Sequence, residues 1–182
     1  MSYLRLRQRA KRLVVDVLCF QLFLGCCEFL PNLALCNRFR GWLVSPFFAS
    51  CGSGFQLAKG ATINMPAGLA IGSNVYIAHD VWINATGGIE VQDNVIISPK
   101  VVIASTRHAY RDGGVRLNES SNAPIVIGAG SWIASNCKVT MGVEIGRGCI
   151  IGSCSAVTRS TPDYHFCGGV PARPLRDLSA CE

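Results

Sequence analysis

The sequence predicts a mainly-β fold: a solenoid whose short parallel strands wind around a packed interior, with an N-terminal helical segment and one extruded loop at about residues 106–124. Three observations predict it. An aliphatic residue returns every six positions from residue 57 onward, a small or β-branched residue stands four places after the later ones, and glycine or asparagine occurs where the chain must turn. Six is an even spacing, so each aliphatic side chain returns to the same side of an extended strand, whereas a helix needs apolar spacings of three and four. At 182 residues, with 19 glycines and 15 % charged residues, the chain suits one ordered domain and can bury a substantial core.

Two parts are expected, 1–50 and 51–182. Arg5, Arg7, Arg9, Lys11 and Arg12 concentrate at one terminus the basic bias of a chain with net charge +6. The following stretch "RLVVDVLCFQLFLGCCEFL" is interrupted by Asp16, Gln21 and Glu28, and so falls short of the roughly 20 apolar residues a membrane span needs. Asp16 inside the apolar run also argues against a secretion signal. A helical appendage fits, punctuated by Pro31, Gly41 and Pro46. It serves either as a cap over one end of the solenoid or as a membrane-proximal segment, a basic amphipathic helix on a lipid surface.

The repeat begins with Leu57, Ile63 and Leu69, slips by two to Ile71, Ile77, Ile83 and Ile89, then slips again to Val91, Ile97 and Ile103. Beyond the loop it runs without a missed beat through Ile127, Ile133, Val139, Ile145, Ile151 and Val157, with Ser131, Cys137, Val143, Cys149 and Ser155 as the small positions. Turns such as "GSN" at 72–74 and "DN" at 93–94 supply corners that bulkier residues resist. The tail after Val157 is expected to close the far end.

Ten cysteines, at 19, 26, 27, 36, 51, 137, 149, 154, 167 and 181, include no C-x-x-C pair, and several occupy apolar-patterned positions where a free thiol acts as a small hydrophobe. Reduced thiols, a cytoplasmic setting and no metal are expected.

A repeat is architecture, so function is sought where it breaks. The largest break is "ASTRHAYRDGGVRLNESSNAP", residues 104–124, with His108 at its root. An imidazole with a pKa near 6.5 is suited to take the proton that a hydroxyl loses as it attacks a carbonyl.

The repeat, together with "ISPKVVIASTRHAYRDGG" and the whole of "APIVIGAGSWIASNCKVTMGVEIGRGCIIGSCSAVTRSTPDYHFCGGVPARPLRD", resembles the hexapeptide-repeat acyltransferases over about residues 52–176, most of all the polysaccharide O-acetyltransferases. The resemblance implies a left-handed parallel β-helix, acetyl-CoA as acyl donor, a saccharide acceptor and a homotrimer. It implies that His108 is the general base; it does not assign the carboxylate that orients it, for which Asp93, Asp112 and Glu119 are the candidates. It further implies that Trp132 lines the pantetheine channel and that the backbone N–H of Ser135 faces the thioester carbonyl. Ser153, Thr158 and Arg159 would contact the cofactor further along, with Arg173 and Arg176 near its phosphates, and Asn84 would meet the acceptor. Position 159 is commonly lysine in relatives, and arginine keeps the charge.

Three other readings stand beside this one. An N-acetyltransferase acting on an amino or nucleotide sugar would use the same base. A non-enzymatic scaffold would need neither His108 nor the "GGVPARPLR" tail. A zinc carbonic anhydrase would need partner histidines where Arg111, Asp112 and Gly113 stand. Nothing in the sequence points to nucleic acid, while the basic leader could bring the protein to the inner face of a membrane.

Overall fold

The computed structural model describes residues 17–180. Five successive coils each contribute one short strand to each of three faces, giving parallel ladders of Ser50–Cys51 to Glu144–Ile145, Gln56–Leu57 to Ile150–Ile151 and Thr62–Asn64 to Ala156–Val157. The fold is a left-handed parallel β-helix. The expected interior set is the core: Leu57, Ile63, Ile77, Ile83, Ile97, Ile103, Ile127, Ile133, Ile145, Ile151 and Val157 are all fully buried. The small positions Ser131, Cys137, Val143, Cys149 and Ser155 are buried as well. Ser131 shows why a hydroxyl is tolerated there: its Oγ donates to the Gly146 carbonyl at 2.8 Å and accepts the Cys149 N–H at 3.0 Å.

Two of the three corners are tight and stacked. In one column Gly54, Asn74, Asn94, Gly130 and Gly148 adopt positive φ, and in the next Gly60, Asp80, Lys100, Asn136 and Cys154 do so. Asparagine and aspartate enter the left-handed region most readily among residues with a Cβ, which explains their recurrence at these corners. Each turn is tied to the coil before it, as where the Asn94 N–H donates to the Ser73 carbonyl and the Asn74 amide donates to Asn94 Oδ1.

The third corner is looser. In the early coils it carries extra residues between Asn64 and Leu69 and between Asn84 and Ile89, so a coil there advances by 20 residues, against 18 in the later coils. That is the physical content of the slips of two: Leu69 and Ile71 lie two apart on one strand and both point inward, as do Ile89 and Val91.

At the N-terminal end, helix α1 (17–26) buries Phe20 and Leu24, and α2 (Ala34–Val44) buries Asn37, Arg40, Gly41 and Val44. Phe48 links this layer to the coil, its ring lying 6.1 Å from Phe20 and 5.8 Å from Phe55. The open edge of the first coil is satisfied by side chains of the helical segment. Asn32 Oδ1 accepts the Lys59 N–H, Glu28 Oε1 accepts the Gly60 N–H, and Gln21 donates to the Ile63 carbonyl. Arg40, fully buried, donates to the carbonyls of Cys27, Leu30, Pro31 and Leu57 and to Asn37 Oδ1. Gly41 has no room for a side chain, since a Cβ would sit 2.7 Å from the Phe55 carbonyl oxygen.

The far end is closed as expected. Ser160, Thr161 and Asp163 side chains accept the N–H groups of Glu144, Gly146 and Arg147 along the last strand of the first face. His165–Gly169 then pairs with Ile150–Ile151 and folds back as a hairpin with Ala172–Asp177.

Candidate active site

The loop after Ile103 leaves the coil at the third corner, and it is ordered rather than irregular. Thr106–Arg111 and Gly114–Asn122 form an antiparallel hairpin, with a register shift between His108 and Ala109. Asp112 and Gly113, both at positive φ, make its two-residue turn. Asp-Gly is the side-chain chemistry such a turn demands, and this was the signal in the sequence that marked a hairpin. The extruded loop expected at about residues 106–124 is thus a β-hairpin. Ser105 anchors the hairpin root: buried, it donates through Oγ to the Asn84 carbonyl and accepts the Gly87 N–H, both at 2.8 Å.

His108 lies opposite Ser120 across the hairpin and is exposed. Among the described residues no hydrogen bond or ion pair engages its side chain, and the three carboxylates considered as partners are held elsewhere. Asp112 pairs with Arg116 at 2.8 Å, Glu119 with Arg111 at 3.5 Å, and Asp93 Oδ1 accepts the Ser73 N–H at 2.6 Å. The other histidines sit apart: His79 Nδ1 meets Asp80 at 3.1 Å, and His165 Nδ1 donates to the Asp163 carbonyl at 2.7 Å.

A cavity of about 470 Å³ lies between the hairpin and the third face, and both His108 and Asn84 line it. Asn84 Oδ1 accepts the N–H and the hydroxyl of Thr86, so this amide satisfies its own turn and borders the cavity as well. Trp82, Thr86, Arg107, Asn118 and Ser120 also line it. None of these five was singled out from the sequence. Trp82 was legible in principle, because strand alternation puts it on the same outward side as Asn84, two residues on.

An adjoining cavity of about 370 Å³ shares Ala104, Thr106 and Arg107 with the first and brings in Thr140, Met141 and Thr158. Thr158 therefore lies near the hairpin root, with the exposed Arg159 next to it. Ser135 and Ser153 occupy one corner column between the second and third faces, one coil apart. Trp132 stands on the second face, where its Nε1 donates to Ser98 Oγ at 2.8 Å. Ladder register aligns Tyr76, Ile96, Trp132, Ile150, Phe166 and Arg176 in one row across that face, and Arg173 pairs with Gly168 nearby. An apolar row ending in guanidinium groups fits a long anionic cofactor with an apolar arm. Among the described residues, however, Trp132 lines neither of these two cavities nor the one formed by His108 with Tyr110 and Arg111.

Comparisons with known proteins add to this geometry. Residues 124–159 match the family model described as bacterial transferase hexapeptide (six repeats). Galactoside O-acetyltransferase of Escherichia coli (strain K12) is 33 % identical over 81 residues, which span 44 % of this chain but 40 % of that protein. Among solved structures, a galactoside acetyltransferase in complex with coenzyme A superimposes with a TM-score of 0.81 at 27 % identity, over 92 % of this chain and 82 % of that one. A hexapeptide-repeat acetyltransferase from Vibrio cholerae O1 biovar eltor, complexed with acetyl coenzyme A, gives a TM-score of 0.77 at 24 % identity, over 90 % of each chain, which is a likeness of fold. WcaF of Escherichia coli (strain K12), named as an acetyltransferase of colanic acid biosynthesis, is 30 % identical over 140 residues, 77 % of this chain and 75 % of that one. With three quarters of both chains aligned and the repeat itself matched, this chain belongs to the hexapeptide-repeat acetyltransferase family.

Proposed function

We propose that this protein is an acetyl-CoA-dependent O-acetyltransferase that acetylates a saccharide hydroxyl, with His108 as general base. The observation that carries the reading is the cavity His108 shares with Asn84. An imidazole, an amide, the hydroxyls of Thr86 and Ser120 and the indole of Trp82 suit a sugar, whose hydroxyls hydrogen-bond and whose ring carbons stack on an aromatic face. The relatives named as a galactoside O-acetyltransferase and as an acetyltransferase of colanic acid biosynthesis support a saccharide acceptor.

In this mechanism the acceptor hydroxyl gives its proton to an imidazole nitrogen of His108 as its oxygen bonds to the acetyl carbonyl carbon. The Ser135 N–H stabilises the oxyanion that forms. As the carbon–sulfur bond breaks, the imidazolium returns the proton to the departing thiolate, so no covalent enzyme intermediate arises. Trp132, Ser153, Thr158 and Arg159 hold the donor along the coil, and Arg173 and Arg176 meet its phosphates. The separation of Trp132 from His108 within one chain supports a homotrimer, in which the donor lies largely against one subunit and the base comes from the next. A cytoplasmic setting goes with this reading, because acetyl-CoA is available there.

The test is acetyl-CoA consumption against a panel of free sugars, sugar nucleotides, lipid-linked saccharides and amino sugars, with the ester or amide product identified by mass. Turnover giving an acetyl ester is expected. Amide formation alone would move the assignment to N-acetylation, and no turnover with any member would overturn the saccharide reading.

A further inference from the structure

Helix α2 is inside out. Its inward stripe contains Asn37, Arg40 and Gly41, while Leu35, Phe39 and Trp42, spaced by four and three along the helix, are 80 %, 46 % and 69 % exposed. The inversion has a local cause, because the inner face must supply a hydrogen bond to the open edge of the first coil, which Arg40 does at the Leu57 carbonyl while its guanidinium also donates to Asn37 Oδ1. It leaves the apolar stripe outside, and the same N-terminal segment exposes further apolar side chains: Leu18 and Leu22 lie one turn apart on α1, and Phe29 and Leu33 lie between the helices. Half of the large apolar side chains exposed among the described residues fall in this short N-terminal segment. Patches on that scale mark a contact surface.

Charge identifies what the surface meets. Residues 1–44 hold seven of the 17 lysines and arginines but two of the 11 acidic residues. One of those acids, Glu28, accepts the Gly60 N–H. Five of the cations stand at positions 5, 7, 9, 11 and 12 of the sequence, and Arg38 is exposed on α2. Leucine and aromatic side chains beside a polybasic segment are the combination that inserts shallowly at an anionic lipid interface. A second copy of this face would instead set two basic segments against each other. Among the described residues no helix is long and apolar enough to cross a membrane.

We propose that the outer face of the N-terminal segment, through Leu18, Leu22, Leu35, Phe39 and Trp42 together with the basic leader, docks on an anionic lipid bilayer. The coil then stands on the membrane by the end that α2 closes.

The test is co-sedimentation of the full-length protein with phosphatidylglycerol/phosphatidylcholine vesicles and with pure phosphatidylcholine vesicles. Binding at least about tenfold stronger to the anionic vesicles is expected. The double variant Leu35→Ser/Trp42→Ser should lose about tenfold or more of it, and replacing Arg5, Arg7, Arg9, Lys11 and Arg12 by Gln should remove the anionic preference. Brominated lipid should quench the tryptophan fluorescence of the wild type but much less that of Trp42→Phe, a readout independent of how the double variant folds. Absence of vesicle binding overturns the proposal. So does equal binding by the double variant at an unchanged melting temperature, or self-association in sedimentation velocity that the double variant abolishes without any vesicle binding by the wild type.

Discussion

The guanidinium of Arg40 donates through Nη1 to the carbonyl oxygen of Leu57 at 3.3 Å, so a fully buried cation closes the first rung of a β-helix. All of its acceptors are neutral oxygens, four carbonyls and one amide. Replacing it strands buried acceptors rather than breaking an ion pair. Arg40→Leu is expected to lower stability by about 3 kcal/mol or more, since each buried unsatisfied group costs about 1–3 kcal/mol. Urea unfolding followed by circular dichroism measures this, and a loss below about 1 kcal/mol would show that the helical segment is not held by this residue.

Gly87 sets the position of the hairpin. A Cβ there would lie 2.4 Å from the Ser105 carbonyl oxygen and 3.0 Å from the Ala123 nitrogen, contacts with both legs of the hairpin root. Gly87→Ala is expected to shift the hairpin while sparing the coil core. Turnover should fall by tenfold or more, toward the roughly hundredfold associated with a 1 Å displacement of reacting groups. Wild-type turnover alongside a wild-type melting curve would show that the hairpin adjusts freely.

His108→Ala should lower turnover by about two to four orders of magnitude while leaving coenzyme A affinity largely intact. Titration calorimetry with coenzyme A and steady-state kinetics separate the two effects. Unchanged turnover removes His108 from the mechanism. Asn84→Ala should act differently, raising the KM for the acceptor more than it lowers kcat.

Among the described residues the thiols range from exposed to buried, with Cys19, Cys36 and Cys51 in between. Cys26 and Cys154 are exposed, whereas Cys27, Cys137, Cys149 and Cys167 are buried. Burial pushes Cys27 and Cys137 upward and, with Cys149 as a lesser cause, pushes Cys167 up to about 11. Since the thiolate is the reactive form, iodoacetamide at pH 8 should label Cys26 and Cys154 in the native protein, and Cys137 and Cys167 only after unfolding. The linked stability follows in sign: the folded Cys167 holds its proton more tightly than the unfolded thiol, so its contribution is full below about 9 and is lost as pH rises through about 11. A smaller loss of stability across that window in Cys167→Ala checks the assignment.

What was legible in the sequence follows from burial. Ile97, Ile133 and Ile151 stack in one interior column, and enclosure on one side is what writes a period into a strand. Gly114–Asn122 faces solvent along nearly its whole length, so it carries no apolar period, and its strand character showed only in the Asp-Gly turn. Arg40 was illegible for the opposite reason, because a buried arginine inverts the pattern by which an amphipathic helix is recognised. Residues around His108 come from separate coils and meet through the register of the ladders, as Asn84 and Ala104 do. Trp132, Ser135 and Arg173 were drawn from family resemblance, and neither their identity nor their spacing would have set them apart.

The two corner columns of left-handed residues fix how many residues each turn can hold, because a single insertion would break contacts with the coils above and below. The third corner has no such constraint and already accommodates three lengths: a short turn, a turn with two extra residues, and a complete hairpin. The molecule therefore has one seam along which sequence can be gained or lost without disturbing its hydrophobic interior. Exchanging the segment between Ser105 and Pro124 is the change through which such a scaffold would acquire a new acceptor.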